Sequence, residues 1–206
     1  MGLNPKQALK QLKQIKKLIS GSEIRLAAEW NKKWQVLIST ILSSQTRDEM
    51  TIKISHELYR KYPSIQKLAE AKLGEIKKII KPINYYKTKA RHIKETARII
   101  TEKYNRRIPQ TCDELLKLPG VGRKVANVYL AQAHKAAAIG VDTHLSQTSR
   151  KLRWSNNKNP HKIEKDLEKL FPRRYWNQLN YVAVRFGRTY SKKEKEKILN
   201  KIKKIK

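Results

Sequence analysis

What most limits the fold is the punctuation of the chain. From Asn4 to Ile205 nearly every apolar pattern recurs at helical spacing, and most are bounded by a start or stop signal of their own. Asn4-Pro5 places a capping side chain before a proline at the first helical position, and Leu9, Leu12, Ile15, Leu18 and Ile19 follow on one face until Gly21. Trp34 to Ser44, with Val36, Leu37, Ile38, Ile41 and Leu42, predicts a central buried helix. After Gln45 another helix is expected from a cap at Asp48 to just before Pro63. Short amphipathic pieces follow over 64–71 and 73–80, then a longer helix from Lys87 to Tyr104. Thr111-Cys112-Asp113-Glu114 has capping-box spacing and opens a helix expected to end at Leu118. Residues 123–134 are helical by pattern, Asp142 caps a helix through Leu152, and Asn159-Pro160 opens one to Leu170. Tyr175 to Phe186 is read as helix, although Tyr181 to Phe186 has strand propensity. Ser191-Lys192-Lys193-Glu194 is a second capping box, and Ile198, Leu199, Ile202 and Ile205 form one apolar stripe behind it, so this segment is expected to dock. With no hairpin of strands, internal repeat or low-complexity linker, the expected class is all-α.

Charge narrows the partner. The 206 residues hold 48 Lys plus Arg against 17 Asp plus Glu, a formal net charge of +31. Residues 1–17 carry five Lys and no acid and residues 189–206 eight Lys and two Glu, which leaves most of the excess spread through the middle. Such a spread fits a nucleic-acid surface better than a single polybasic membrane anchor, with solvated lysine faces as the ordinary alternative. One cysteine, Cys112, excludes a disulfide scaffold or a four-thiolate metal site. Neither a long apolar run nor a signal-peptide block is present, so a soluble, intracellular, monomeric protein of the cytoplasm or nucleoid is expected, with no membrane partner.

The segment richest in chemistry is Leu118-Pro119-Gly120-Val121-Gly122-Arg123-Lys124, between two predicted helices. Proline ends the first, the glycines allow backbone conformations that a side chain would block, and the second helix begins with outward N–H groups. A turn of this kind offers amides to a phosphate, helped by the helix dipole and by Arg123, and reads no base sequence. The plain alternative is a tight connection between helices.

Leu118 to Asn127, followed by Val141-Asp142-Thr143-His144, resembles the signature of the helix-hairpin-helix DNA glycosylases, and most closely the endonuclease III family. Leu42-Ser43-Ser44-Gln45-Thr46-Arg47-Asp48 is similar to that family's first DNA-probing segment and Tyr85 to Ala90 to its second, so the resemblance extends over roughly residues 5 to 190. It implies a two-domain helical fold with DNA bound across a cleft. A six-helix domain at 25–131, its helix-hairpin-helix at 113–131, would be inserted into a terminal domain made of 1–24 and 132–206. It also implies base-excision repair of duplex DNA carrying damaged bases or abasic sites.

A glycosylase breaks the bond between C1′ of a deoxyribose and a base swung out of the duplex. Attack by a lysine amine, instead of water, leaves a Schiff base that permits β-elimination of the 3′ phosphate. The helix N-terminus and Arg123 both disfavour a cation at Lys124, which suits it to that attack. By resemblance Lys124 is the nucleophile of a bifunctional glycosylase and abasic-site lyase. Asp142 has an ordinary reading as an N-cap, and the resemblance makes its carboxylate face the flipped sugar and stabilise oxocarbenium charge. Gly120, Val121, Gly122 and Arg123 would hold phosphate, Gln45 would fill the gap left by the extruded nucleotide, and Tyr85 would wedge between bases of the opposite strand. His144 either contacts a DNA phosphate or sugar or packs on the next turn. Where the family commonly has glycine before the wedge, this chain has Asn84, which tolerates positive φ.

Many members of the family close their terminal domain with four cysteines around a [4Fe–4S] cluster. Here Ser191 stands about where the first would be and no cysteine follows it, so a cofactor-free homologue without an iron–sulfur cluster is expected. Oxidised pyrimidines are the leading substrates. A mismatch glycosylase for uracil or thymine, or a non-enzymatic helix-hairpin-helix DNA-binding protein, are the competing readings.

Overall fold

The computed structural model describes residues 3–205, which fold into twelve α-helices and one 3₁₀ turn, with no strand among the described residues. Tyr181 to Phe186 lies inside a helix, because its apolar side chains meet the core at helical spacing. The chain divides into two compact units, Arg25–His134 and a second made from both ends, Met1–Ile24 with Lys135–Lys206.

The unit Arg25–His134 contains α2 (Lys33–Ser43), α3 (Asp48–Lys61), α4 (Ile65–Glu70), α5 (Leu73–Ile79), α6 (Tyr86–Lys103), α7 (Cys112–Leu115) and α8 (Arg123–His134). Every residue of α2 from Val36 to Leu42 is buried, which makes it the central helix; α3, α6 and α8 pack around it. Its buried hydroxyls need no outside partner. Ser39 and Thr40 donate to the Val36 carbonyl at 3.1 and 2.6 Å, back along their own helix. On the other side α6 presents Ala90, Ile93, Ala97 and Ile100, and packs against α4 and α5.

Two helix boundaries differ from expectation. Asp48 is not a cap: α3 begins with it, Arg47 holds the cap position without a side-chain bond, and Asp48 adds its charge to the first turn, where the helix dipole favours it. Helix α7 is one turn long and ends at Leu115, because the chain turns toward Pro119 instead of continuing to Leu118. Thr111 caps it, but the Glu114 carboxylate accepts from the Thr111 hydroxyl at 2.8 Å.

The other unit contains α1 (Pro5–Leu18), α9 (Thr143–Lys151), α10 (Pro160–Leu170), a 3₁₀ turn at Arg173–Tyr175, α11 (Trp176–Thr189) and α12 (Lys192–Ile202). Helix α11 packs against α1 and α9, and α10 and α12 also lie on α9. Ala8, Leu12, Ile15, Leu145, Ile163, Leu167, Val182 and Phe186 are among the residues of its core. Trp154 stacks edge-on against Phe171 and donates its indole N–H to Gln11 at 2.7 Å, which ties α1 to the later helices. Both halves of the Ser191 capping box form. Leu199 and Ile202 enter the core with Ile198 and Ile205 packed at its edge, Lys195 donates to the Gly187 carbonyl at 2.9 Å, and Lys151 meets Glu196 at 2.9 Å. The lysine-rich C-terminal helix is therefore docked on its own unit by its apolar stripe.

Candidate active site

In the unit Arg25–His134 the turn between α7 and α8 is fixed by its buried and its close-packed residues. Val121 is buried and donates to the Leu118 carbonyl at 3.1 Å, and the Thr96 hydroxyl donates to the Pro119 carbonyl at 2.8 Å. Gly120 has φ +78°, and a Cβ there would lie 3.0 Å from His92 and 3.1 Å from Ile41. Glycine is required at 120 by conformation and by space together. Gly122 differs from expectation: its φ is not left-handed, it is exposed, and a Cβ would meet nothing within 4 Å. The packing of this unit does not demand a glycine at 122. Arg123 is exposed and Lys124 partly exposed on the first turn of α8, where the leading N–H groups of the helix point outward.

The two segments expected to probe DNA meet. Gln45, between α2 and α3, is exposed with φ +55°; Tyr85, the residue before α6, has φ +59° and is 66% exposed. The left-handed position is thus Tyr85 and not Asn84. Asn84 serves otherwise: its amide Nδ2 donates to the Gln45 carbonyl at 2.5 Å and joins the two tips. A left-handed conformation costs a non-glycine residue roughly 1–2 kcal/mol, so the surrounding contacts must hold both tips in place.

One residue of this region escapes a sequence reading. Lys89, on the first turn of α6, is 6% exposed. Its ammonium donates to the Leu42 carbonyl at 2.7 Å, the Ser44 carbonyl at 2.5 Å and the Thr46 hydroxyl at 3.2 Å. Burial, and then the positive charge of Lys124, bring its pKa down to about 8. The available signal is positional: Lys89, Ile93, Ala97 and Ile100 share one helical stripe, and a lysine in an apolar stripe is out of pattern.

In the other unit Asp142 occupies the cap position of α9, where its Oδ1 accepts from the Leu145 N–H at 2.8 Å. The capping role is therefore real, and the carboxylate remains only partly buried. His144 packs its ring against α11, since a Cβ at Gly187 would begin 2.1 Å from Nδ1. The ring thus packs on α11 and not on the next turn of its own helix, and it also lines a cavity of about 550 Å³ with Arg150, Lys151, Lys192 and Lys195. No group of three or more His, Cys, Asp or Glu side chains fit to hold a metal ion occurs among the described residues.

Comparison with known proteins agrees with this geometry. The sequence pattern of the HhH-GPD superfamily of base excision DNA repair proteins matches residues 38–173. Endonuclease III of Thermotoga maritima is 45% identical over 159 residues, covering 77% of this chain and 75% of that one. Endonuclease III of Synechocystis sp. is 35% identical over 189 residues, covering 91% and 85%. The structure of a trapped endonuclease III–DNA covalent intermediate superposes with a TM-score of 0.83 at 32% identity, covering 91% of this chain and 88% of that one. With the glycine turn ahead of α8, the paired tips and relatives of this identity and coverage, the chain belongs to the HhH-GPD superfamily of base excision DNA repair proteins and, within it, to the endonuclease III family.

Proposed function

We propose that Lys124 is the nucleophile and Asp142 the charge-stabilising carboxylate of an enzyme that removes oxidised pyrimidines from duplex DNA. The general activity follows from the family: this is a DNA glycosylase of base-excision repair with abasic-site lyase activity, and its partner is duplex DNA containing damaged bases. The observation that carries the assignment of Lys124 is its place on the first turn of α8, next to Arg123 and directly behind the turn held by Gly120 and Val121.

In this reading the Lys124 amine attacks C1′ of the extruded nucleotide. The C1′–N bond breaks with its electron pair passing to the base, which takes up a proton, and the sugar opens to a Schiff base. Loss of a C2′ proton then expels the 3′ phosphate as the C3′–O bond breaks. The helix N-terminus that disfavours an ammonium at Lys124 favours a phosphate oxygen, so one dipole serves both partners. Asp142 stabilises the cationic sugar with the charge its cap leaves available. Gly120, Gly122 and Arg123 hold the phosphate backbone, while Val121, buried and with its N–H given to the Leu118 carbonyl, anchors the turn from inside instead of touching phosphate; Gln45 fills the gap in the stack, and Tyr85 enters the opposite strand. Because these contacts are to phosphates and stacking faces, affinity should fall steeply with salt. The enzyme works where the cell's DNA lies, in the cytoplasm or nucleoid. No helix among the described residues is long and apolar enough to cross a membrane.

The residues do not fit a [4Fe–4S] cluster. The sequence has one cysteine, on α7 in the other unit, and the stretch from Gly187 onward, where the Leu and Ile side chains of α12 pack on the core, supplies no thiolate. A colourless protein without iron is expected; stoichiometric iron with a visible absorption band would overturn that part of the reading.

Borohydride trapping on a duplex with an abasic site tests the main assignment. A covalent adduct that disappears in Lys124→Ala supports it, and the absence of an adduct from folded, DNA-binding protein refutes it. A panel of lesion duplexes then tests the preference for oxidised pyrimidines over mismatched uracil or thymine.

A further inference from the structure

Lys89 is the one buried lysine among the described residues, and its three donated bonds all end on the last turn of α2 and the short connection that follows it. The Leu42 and Ser44 carbonyls belong to the C-terminal end of α2, the negative pole of that helix, where a cation is favoured. Gln45 lies between two of these anchor residues, with Ser44 before it and Thr46 after it, while Asn84 takes hold of its carbonyl. The Gln45 tip thus has no freedom to rotate its backbone without breaking a bond to α6 or to the segment just ahead of it. The same ammonium also feels the positive charge of Lys124, on the first turn of α8, which together with burial lowers its pKa.

We propose that Lys89 is a positioning residue for the glycosylase reaction: its ammonium fixes the 42–46 turn so that Gln45 is presented to the gap, and it keeps a second positive charge next to Lys124. This rests on Lys124 being the nucleophile and Gln45 the gap-filling residue. A neutral acceptor set explains why the charge belongs there. With three acceptors and no carboxylate among its bonds, the ammonium carries, below its lowered pKa of about 8, a field that no ion pair cancels. The repulsion between the two lysines is mutual, so while Lys89 keeps its proton, below about pH 8, it opposes a second ammonium at Lys124. The partners of Lys89 from the turn are uncharged, and Lys124 is the charge that lowers its own proton affinity.

The test uses the full chain and two substitutions. Lys89→Met removes charge and donors at nearly constant length, and Lys89→Arg keeps the charge. Rates of borohydride trapping are measured against pH on an abasic duplex, and single-turnover base removal is measured on a lesion duplex. In Lys89→Met the trapping midpoint should move to higher pH, by about half a unit, whereas Lys89→Arg keeps the midpoint of the parent. Base removal should fall about tenfold or more in Lys89→Met, and adding Gln45→Ala to it should cost little beyond Lys89→Met alone. A folded Lys89→Met protein with an unmoved midpoint and a fully additive Gln45→Ala effect overturns the proposal. Should Lys89→Met not fold, Lys89→Gln, which retains a donor for the carbonyls, is read by the same two criteria. If the parent protein itself gives no adduct, the assignment of Lys124 has failed; an adduct from the parent with an unmoved midpoint and an additive Gln45→Ala effect condemns the role of Lys89 alone.

Discussion

Helices α8 and α9 begin in opposite ways, and the difference separates catalytic from structural use of the same electrostatics. At the start of α9 an acid, Asp142, meets the positive pole and satisfies the Leu145 N–H, an arrangement that stabilises the helix by about 1 kcal/mol. At the start of α8 two bases, Arg123 and Lys124, follow an exposed glycine, and both are placed where the dipole opposes a cation. A sequence selected for stability alone would not put them there. The unfavourable arrangement makes sense if the pole is meant for a phosphate and the amine is meant to lose its proton.

The largest effect should separate these two ends at once. Lys124→Ala removes the nucleophile and should reduce trapping and strand cleavage by at least about a thousandfold, while thermal stability holds or rises slightly as a cation leaves the positive pole. A marked loss of stability would mean that the α8 start is also built for structure. Next comes Asp142→Asn, which retains a good cap and so should unfold within about 0.5 kcal/mol of the parent. Its base-removal rate should nevertheless fall roughly a hundredfold. If turnover survives in Asp142→Asn, the carboxylate is only a cap. Smaller effects divide the two glycines. Gly120→Ala, forced into φ +78° against His92 and Ile41, should lose about 1–3 kcal/mol in a denaturant titration. Gly122→Ala should leave stability within about 0.5 kcal/mol yet weaken duplex binding, because only bound DNA would feel the added methyl. The mildest change is Tyr85→Gly, which relieves a left-handed tyrosine and should leave stability unchanged or raise it by up to about 1 kcal/mol, with excision impaired.

Where information is local, the sequence carries it. The starts of α1, α10 and α12 are spelled out by Asn4-Pro5, Asn159-Pro160 and Ser191 with Glu194, since a cap and its target lie within three residues of each other. The α2 core, the hairpin and the stripe of α12 could be read for the same reason. Asn84 and Lys89 could not. Both do their work on carbonyls about forty residues away, and whether an exposed-type side chain faces solvent or another turn is decided by packing that no local pattern contains. Gly122 is the opposite case: next to Gly120 it looks like a backbone requirement, but its own surroundings impose none. Its reason has to be sought in a partner and not in the fold.

The order in which the two units become complete follows from how the chain threads them. Arg25–His134 is one continuous stretch and can finish folding as soon as it has been synthesised. Helix α1 is made first, yet the bond from Trp154 to Gln11 spans 143 residues, and α11 against which α1 packs comes later still. At elongation rates of about 5–20 residues per second, the apolar face formed by Ala8, Leu12 and Ile15 has to wait on the order of ten seconds for its cover. A truncated chain ending just beyond His134 should therefore hold a protease-resistant 25–134 unit and a protease-sensitive first helix, which makes the N-terminal segment the part of this enzyme that most depends on protection during its synthesis.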